Sequence, residues 1–258
     1  MVTCGFLFVG GWVDFCTQIL INKMWDDMQK KLNIVITGGN RGIGFGLLKI
    51  LSDKHNVVIT VRDDKKGQKT ITEFRNSKNE INYVVMDVDK FDSVMTAGND
   101  IAQKFNHVDL LINNAGILLN EYQLLALETT EDSILKTFNT NTLGVLRVCK
   151  SIVPLMVNGG RIINISSGMG QLDEMESGST AYRISKTSLN VLTKILSNEL
   201  SGMGIKVNTI CPGWVQTDMG GENATLTIEE STTQIAAFAL RDNFPNGQFL
   251  RHGELIPW

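Results

Sequence analysis

The stretch Thr37-Gly38-Gly39-Asn40-Arg41-Gly42-Ile43-Gly44 closes a β-branched run, Asn33–Thr37 (NIVIT), and opens a segment of helical period over 43–54. Glycines between a strand and a helix permit a tight turn and a close backbone approach to a pyrophosphate, whose charge is met by the N–H groups and dipole of the helix N-terminus. The spacing Gly38-x-x-x-Gly42-x-Gly44 differs from the general G-x-G-x-x-G fingerprint. By itself the turn could be a plain strand–helix connection, and the rest of the chain has to decide.

Outward from this turn, short β-branched runs alternate with longer amphipathic segments, the pattern of βαβ units and a parallel sheet. Strands are expected at 33–37, 57–61, 82–86, 108–113, 161–166, 206–211 and 247–251, and helices at 43–54, 91–105, 141–157, 181–201 and 228–240. Apolar runs of this kind suit strands buried on both faces. With right-handed crossovers the result is an α/β fold, a doubly wound, mostly parallel seven-stranded sheet with helices on both faces. Ligands of such sheets bind at the carboxyl ends of the strands, so functional residues should follow strands.

The 258 residues carry a net charge of -3, with 43% hydrophobic and 7% aromatic side chains. That balance excludes a basic nucleic-acid surface and a disordered chain, so no nucleic-acid partner is expected. The four cysteines (Cys4, Cys16, Cys149, Cys211) form no C-x-x-C pair and no zinc spacing, and read as reduced thiols of a cytoplasmic protein without a metal site. Residues 1–31 form an apolar extension ahead of a body at 32–258, with no basic leader before Lys23 and with Asp14 and Gln18 inside the apolar run. A charge there opposes stable membrane insertion, leaving a weak anchor or a start at Met28 as alternatives for this segment.

Several strand ends carry chemistry. Arg62 follows the second strand, where an acidic residue would bind the ribose 2′-OH of NAD and an arginine accommodates the 2′-phosphate of NADP. Arg41 in the glycine turn offers a second guanidinium, so NADP(H) is expected; the alternative makes Asp63 the ribose ligand and both arginines surface charges. Asp87-Val88 ends the third strand and Asn114-Ala115-Gly116 the fourth. These could contact adenine and the cofactor backbone, or be an ordinary helix cap and turn. In Tyr182-Arg183-Ile184-Ser185-Lys186, the tyrosine and lysine lie four apart on one helical face. An adjacent ammonium lowers a phenol pKa from about 10 and makes it a usable proton donor, although a lone Tyr-x-x-x-Lys is usually a packing pair. Ser166-Ser167-Gly168 ends the fifth strand and offers a hydroxyl to the same oxygen.

The ordered set TGGNRGIG, NNAG, Asn141, ISSG, Tyr182-x-x-x-Lys186 and Pro212-Gly213-Trp214-Val215-Gln216-Thr217-Asp218 resembles the single-domain branch of the short-chain dehydrogenase/reductase superfamily, across 32–258. Within it, the text around Tyr182 and Pro212 is similar to the sniffer-type carbonyl reductases and C-factor-like proteins. The resemblance implies a Rossmann fold and a catalytic set of Asn141, Ser167, Tyr182 and Lys186. Tyr182 would be the general acid and Ser167, the second serine of its pair, would orient the substrate oxygen. Lys186 would lower the tyrosine pKa and hold the nicotinamide ribose, and Asn141 would support a water leading protons to it. Cofactor contacts are implied for Gly38, Asn40, Arg41, Gly42, Ile43, Gly44, Arg62, Asp87, Val88, Asn114, Ala115, Gly116, Tyr182 and Lys186, with Pro212, Gly213, Val215 and Thr217 near the carboxamide.

The implied reaction is NADPH-dependent reduction of an aldehyde, ketone or quinone. An NAD-dependent dehydrogenase and a non-catalytic dinucleotide-binding protein are the alternatives. Ser167 and Tyr182 stand fifteen apart, more than is usual in the superfamily, which leaves the substrate mouth open. Leu118, Leu119, Met169, Met175, Trp214 and Met219 are apolar candidates for lining it and point to an apolar carbonyl substrate. Residues 220–231 are expected to be mobile, and the resemblance implies a homodimer or homotetramer.

Overall fold

The computed structural model describes residues 7–8, 11–12, 31–74, 77–119 and 124–258. They fall into two units, 1–32 and 33–258. In the first, Leu7–Phe8 pairs antiparallel with Gly11–Trp12. The expectations for the remainder of 1–30, including Cys4 and Cys16, lie outside the described residues.

The second unit is an α/β sandwich. Its strands are β1 (Asn33–Thr37), β2 (Asn56–Val61), β3 (Ile81–Val85), β4 (Val108–Asn113), β5 (Met156–Ile165), β6 (Lys206–Cys211), β7 (Phe249–Arg251) and β8 (Glu254–Leu255). They lie in the order β8-β7-β6-β5-β4-β1-β2-β3, parallel throughout except for the β7–β8 pair. Order reverses at β1, which sits between β4 and β2, so the crevice for a ligand opens at the carboxyl ends of β1 and β4. The helices are α1 (Gly42–Leu51), α2 (Asp64–Thr72), α3 (Phe91–Lys104), α4 (Glu131–Phe138), α5 (Gly144–Ile152), α6 (Thr180–Glu199) and α7 (Ile228–Leu240).

The central strands are buried on both faces, as their unbroken apolar runs require: Ile34, Val35 and Ile36 of β1 and Leu110, Leu111 and Ile112 of β4 are wholly inaccessible. Val35, Val58, Val84, Leu111, Ile162 and Val207 line one face of the sheet and pack against Ile101 of α3, Val148 and Ile152 of α5, and Leu189 and Leu196 of α6. Each fully buried side chain of this kind contributes about 1.5–3 kcal/mol, so the sheet supplies the stability on which the polar site rests.

Three features differ from the sequence expectation. The sheet has eight strands rather than seven, because the chain turns at His252-Gly253, both with positive φ, and adds the two-residue edge β8. The helix expected over 141–157 is broken: Asn139–Leu143 form a π-turn between α4 and α5, and Pro154 sits in a 3-10 turn that ends the run. β5 then begins at Met156 rather than Arg161, with a register irregularity against β4.

Two glycines set the crevice floor. Gly38 has φ +68°, and a Cβ on Gly44 would run into the Gly38 carbonyl oxygen and lie 2.6 Å from Asn114 Nδ2. Gly44→Ala should therefore force the turn open and cost on the order of 1–3 kcal/mol of stability, read as a lowered denaturant midpoint together with weaker dinucleotide binding.

Candidate active site

A cleft of about 650 Å³ lies at the reversal in strand order, lined from the glycine turn through the ends of β2, β4 and β5 to the segment after β6. Its floor is stitched by two side chains. Thr37 Oγ1 accepts from the amides of Asn114 and Ala115, each at 3.0 Å, while Asn114 Nδ2 donates to the carbonyls of Thr37 (2.9 Å) and Gly38 (3.1 Å). The Asn114 amide is thus spent on joining the two turns, and Asn114 lines the cleft as part of that joint. Thr37 opens the glycine motif in the sequence, but its role as this joint depends on partners 77 and 78 residues downstream.

Gly38, Asn40, Arg41, Gly42, Ile43, Arg62, Val88, Ala115 and Gly116 all line the cleft. Arg41 from the glycine turn and Arg62 from the end of β2 both line it, and Arg41 also pairs with Asp218. Asp63 is occupied elsewhere, its carboxylate accepting from the Lys66 amide at 2.9 Å as the N-cap of α2. Asp63 is thus engaged in a helix cap, while Arg41 and Arg62 line the cleft. Gly44 and Asp87 are not lining residues. Asp87 instead accepts from the Asp89 amide at 3.2 Å and pairs with Lys90 at 3.3 Å, the turn-cap alternative.

At the other end, Ser167, Tyr182 and Lys186 share the cleft wall with Ile165 and Met169. Tyr182 and Lys186 occupy successive turns of α6, with the Lys186 ammonium 5.6 Å from the phenol ring centroid. Lys186 is 4% exposed and its Nζ donates to the Ile165 carbonyl at 2.8 Å. Burial pushes its pKa down to about 8, offset in part by Cys211 nearby. The two serines are distinguished by burial. Both border the cleft, but Ser166 is 2% exposed and donates into the interior to Asn190 Oδ1 at 2.7 Å, whereas half-buried Ser167 caps the following 3-10 turn.

Asn141 is wholly buried in the π-turn and does not line the cleft. Its amide grips Ile117, accepting from the N–H (2.8 Å) and donating to the C=O (2.9 Å), and donates to Ser185 Oγ at 3.0 Å. Ser185 in turn donates to the Tyr182 carbonyl at 2.7 Å, so this hydroxyl joins the asparagine to the tyrosine's own helical turn.

After β6, Pro212, Gly213, Trp214, Val215, Thr217, Asp218 and Met219 complete the wall. Of the segment 220–231, Ser231 belongs to α7, and the part before it is folded onto the stretch after β6. Leu226 N donates to Trp214 O at 2.9 Å, Gln216 N to Leu226 O at 2.8 Å, and Trp214 Nε1 to Gly220 O at 2.8 Å. Of the apolar candidates, Leu118, Met169, Trp214 and Met219 line the cleft, and Leu119 and Met175 do not. Among the described residues no group of three or more His, Cys, Asp and Glu could hold a metal ion, and no helix is long and apolar enough to cross a membrane.

A doubly wound sheet with a glycine cradle at its switch point and a tyrosine–lysine pair on the opposite wall defines a dinucleotide-dependent oxidoreductase. The short chain dehydrogenase family profile matches residues 32–226, and the chain belongs to that family. Carbonyl reductase Sniffer of D. melanogaster is 31% identical over 89% of this chain and 100% of its own, with a TM-score of 0.81. An NADPH-bound carbonyl reductase from chicken fatty liver is 26% identical over 89% of this chain and 95% of its own, also at TM-score 0.81. Carbonyl reductase [NADPH] 1 of Mus musculus is 27% identical, covering 87% of this chain and 97% of that protein. The resemblance to sniffer-type carbonyl reductases is thus found in both sequence and fold.

The buried ammonium has a consequence for stability. An ordinary lysine keeps its proton to about pH 10.4, so the unfolded state binds a proton that the folded state has lost between about 8 and 10. Stability must rise with pH across that window, and the cost of the charge, about 3 kcal/mol, is present in full below pH 8. Lys186→Met should therefore raise the denaturant midpoint at pH 7, and the gap to the native protein should narrow as the pH is taken to 10.

Proposed function

We propose that this protein reduces an apolar aldehyde, ketone or quinone to the alcohol with NADPH, using Tyr182 as the general acid. The observation that carries the reading is the meeting, in one cleft, of two cations at the ribose end with a phenol beside a buried ammonium at the other. The protein is an NADP-dependent oxidoreductase, and the carbonyl reductases among its relatives support the substrate class. Leu118, Met169, Trp214 and Met219 favour an apolar molecule. We place the protein in the cytoplasm, where the free thiols of Cys149 and Cys211 stay reduced.

The residues present suit NADP(H): the glycine turn leaves room for backbone against pyrophosphate, and Arg41 and Arg62 would take the 2′-phosphate as bidentate donors. When bound, NADPH supplies the hydride for the carbonyl carbon. The chain does the rest. Ser167 orients the carbonyl oxygen by a hydrogen bond, and Tyr182 delivers its proton to that oxygen as negative charge develops. The Lys186 ammonium holds the ribose hydroxyls and makes the phenol a stronger acid. Asn141, fixed by Ile117 and Ser185, keeps the π-turn in the shape that leads a water to Lys186. Pro212, Gly213, Val215 and Thr217, which line the cleft after β6, would flank the carboxamide.

Tyr182→Phe should lower carbonyl reduction by a factor of about 10²–10⁴, with NADPH binding by fluorescence retained; turnover at the native rate would remove the tyrosine from the mechanism. Arg41→Ala and Arg62→Ala should each weaken NADPH binding by about tenfold and leave NADH unaffected, since each removes one charge-assisted contact to a phosphate. In a pH–rate profile, reduction should decline as pH rises through about 8, where Lys186 loses the charge that keeps Tyr182 acidic; a rate that climbs through that range would contradict the role given to the lysine.

A further inference from the structure

We propose that Asn190 is a positioning residue that fixes Ser167 relative to Tyr182 and Lys186. It follows Lys186 by four residues and Tyr182 by eight, so all three fall on one face of α6. Asn190 is 3% exposed and is not among the residues lining the cleft. Its amide reaches both ends of the serine's turn. Oδ1 accepts from Ser166 Oγ at 2.7 Å and from Thr209 Oγ1 at 3.5 Å, and Nδ2 donates to the Gly170 carbonyl at 3.1 Å.

The orientation of that amide is determined by chemistry. A carbonyl only accepts, so Nδ2 must face Gly170, and the Ser166 hydroxyl must then donate to Oδ1. Ser166 and Gly170 bracket the segment in which Ser167 caps the 3-10 turn Gly168–Gly170. Thr187, on the same helix, donates to the Gly170 carbonyl as well, at 3.1 Å. The turn also packs directly on α6, because a Cβ on Gly170 would lie 2.7 Å from the Lys186 carbonyl carbon. The helix that carries the acid therefore also holds the serine's turn, and Asn190 is the side chain that spans it.

This inference rests on the reading of Ser167 as the residue that orients the substrate oxygen. Truncating Asn190 removes the 2.7 Å acceptor of the buried Ser166 hydroxyl, leaving it only the longer contact to the Lys186 carbonyl at 3.4 Å, and frees the turn to shift; a displacement of about 1 Å at a reacting group costs about 10²-fold. The loss should appear in turnover and not in cofactor binding, and it should act through Ser167 alone.

The test is a double-mutant cycle on the full chain, read as single-turnover NADPH oxidation at stoichiometric enzyme with a panel of apolar ketones and aldehydes. Asn190→Ala should slow reduction by about 10–100-fold. Its NADPH affinity by fluorescence should stay within about twofold, and in the Ser167→Ala background its further effect should be no more than about twofold. Ser166→Ala, which removes the same hydrogen bond from the other side, should give the same non-additive loss, and stands in for Asn190→Ala if that variant does not fold. Equal fold-losses in both backgrounds, or a native rate in Asn190→Ala, would overturn the proposal. A native rate in Ser167→Ala would instead overturn the role of the serine itself, an outcome read from a separate arm of the cycle.

Discussion

A charged ammonium held out of water governs this molecule. Lys186 sits 4% exposed at the end of β5, with the Ile165 carbonyl accepting its hydrogen bond and Tyr182 one turn away. An isolated buried charge is unfavourable, and the protein keeps it because α6 is anchored by more than its apolar contacts. The inward face of that helix is unusually polar for a core: Ser185, Asn190, Thr193 and Ser197 are all buried beside Tyr182 and Lys186. Each hydroxyl or amide on it is paired, with Ser185 tied to Asn141, Asn190 to Ser166 and Gly170, and Thr193 to Asn164. A polar network that is fully satisfied orients a helix more precisely than interchangeable methyl groups can.

The division of labour follows from the sheet. Its central strands bury apolar side chains on both faces, and the stability they supply allows the strand ends to be given over to hydrogen bonds that stitch turns together. Thr37 and Asn114 join the two turns on the cofactor side much as Asn190 joins the turn and helix on the reactive side. The charges that would recognise phosphate are left at the rim instead. Arg41 is largely exposed, so its pairing with Asp218 is a weak, solvent-screened contact and the guanidinium stays available to a ligand.

Much of this was legible in the chain. Strand–turn–helix punctuation placed β1, β4 and β6 at their exact bounds, because each carries the β-branched or apolar residues of a buried parallel strand ahead of a turn. Elements without that pattern were harder to see. β8 is two residues on an exposed edge, and the first half of β5 contains Asn158-Gly159-Gly160, residue types depleted in strands. The π-turn at Asn139–Leu143 keeps the apolar spacing of a helix while adding a residue to one turn, so periodicity alone cannot detect it. In the site, the motif residues were legible as types, yet their duties depend on partners distant in sequence. Asp63 and Asp87 both looked able to meet the nucleotide; Asp63 caps α2, and Asp87 accepts from the Asp89 amide in its own turn. Asn190 carried no signal, since its partners lie twenty residues upstream at Ser166 and Gly170.

The substrate side obeys a different constraint. The wall after β6 is held through backbone: Val215 and Leu226 form a parallel bridge, with Gln216 N donating to Leu226 O and Leu226 N to Trp214 O. Side chains there, such as half-exposed Trp214 and Met219, line the cleft, and Trp214 also donates from Nε1 to the Gly220 carbonyl within the same segment. Their identity can vary without disturbing the tyrosine, the lysine or the serine, all of which are held from behind by α6. Chemistry and selectivity are therefore carried by separable parts of the molecule, one written in buried hydrogen bonds and the other in the shape of an apolar surface. A family fold can then fix the reaction while leaving the choice of carbonyl compound to a few exposed positions.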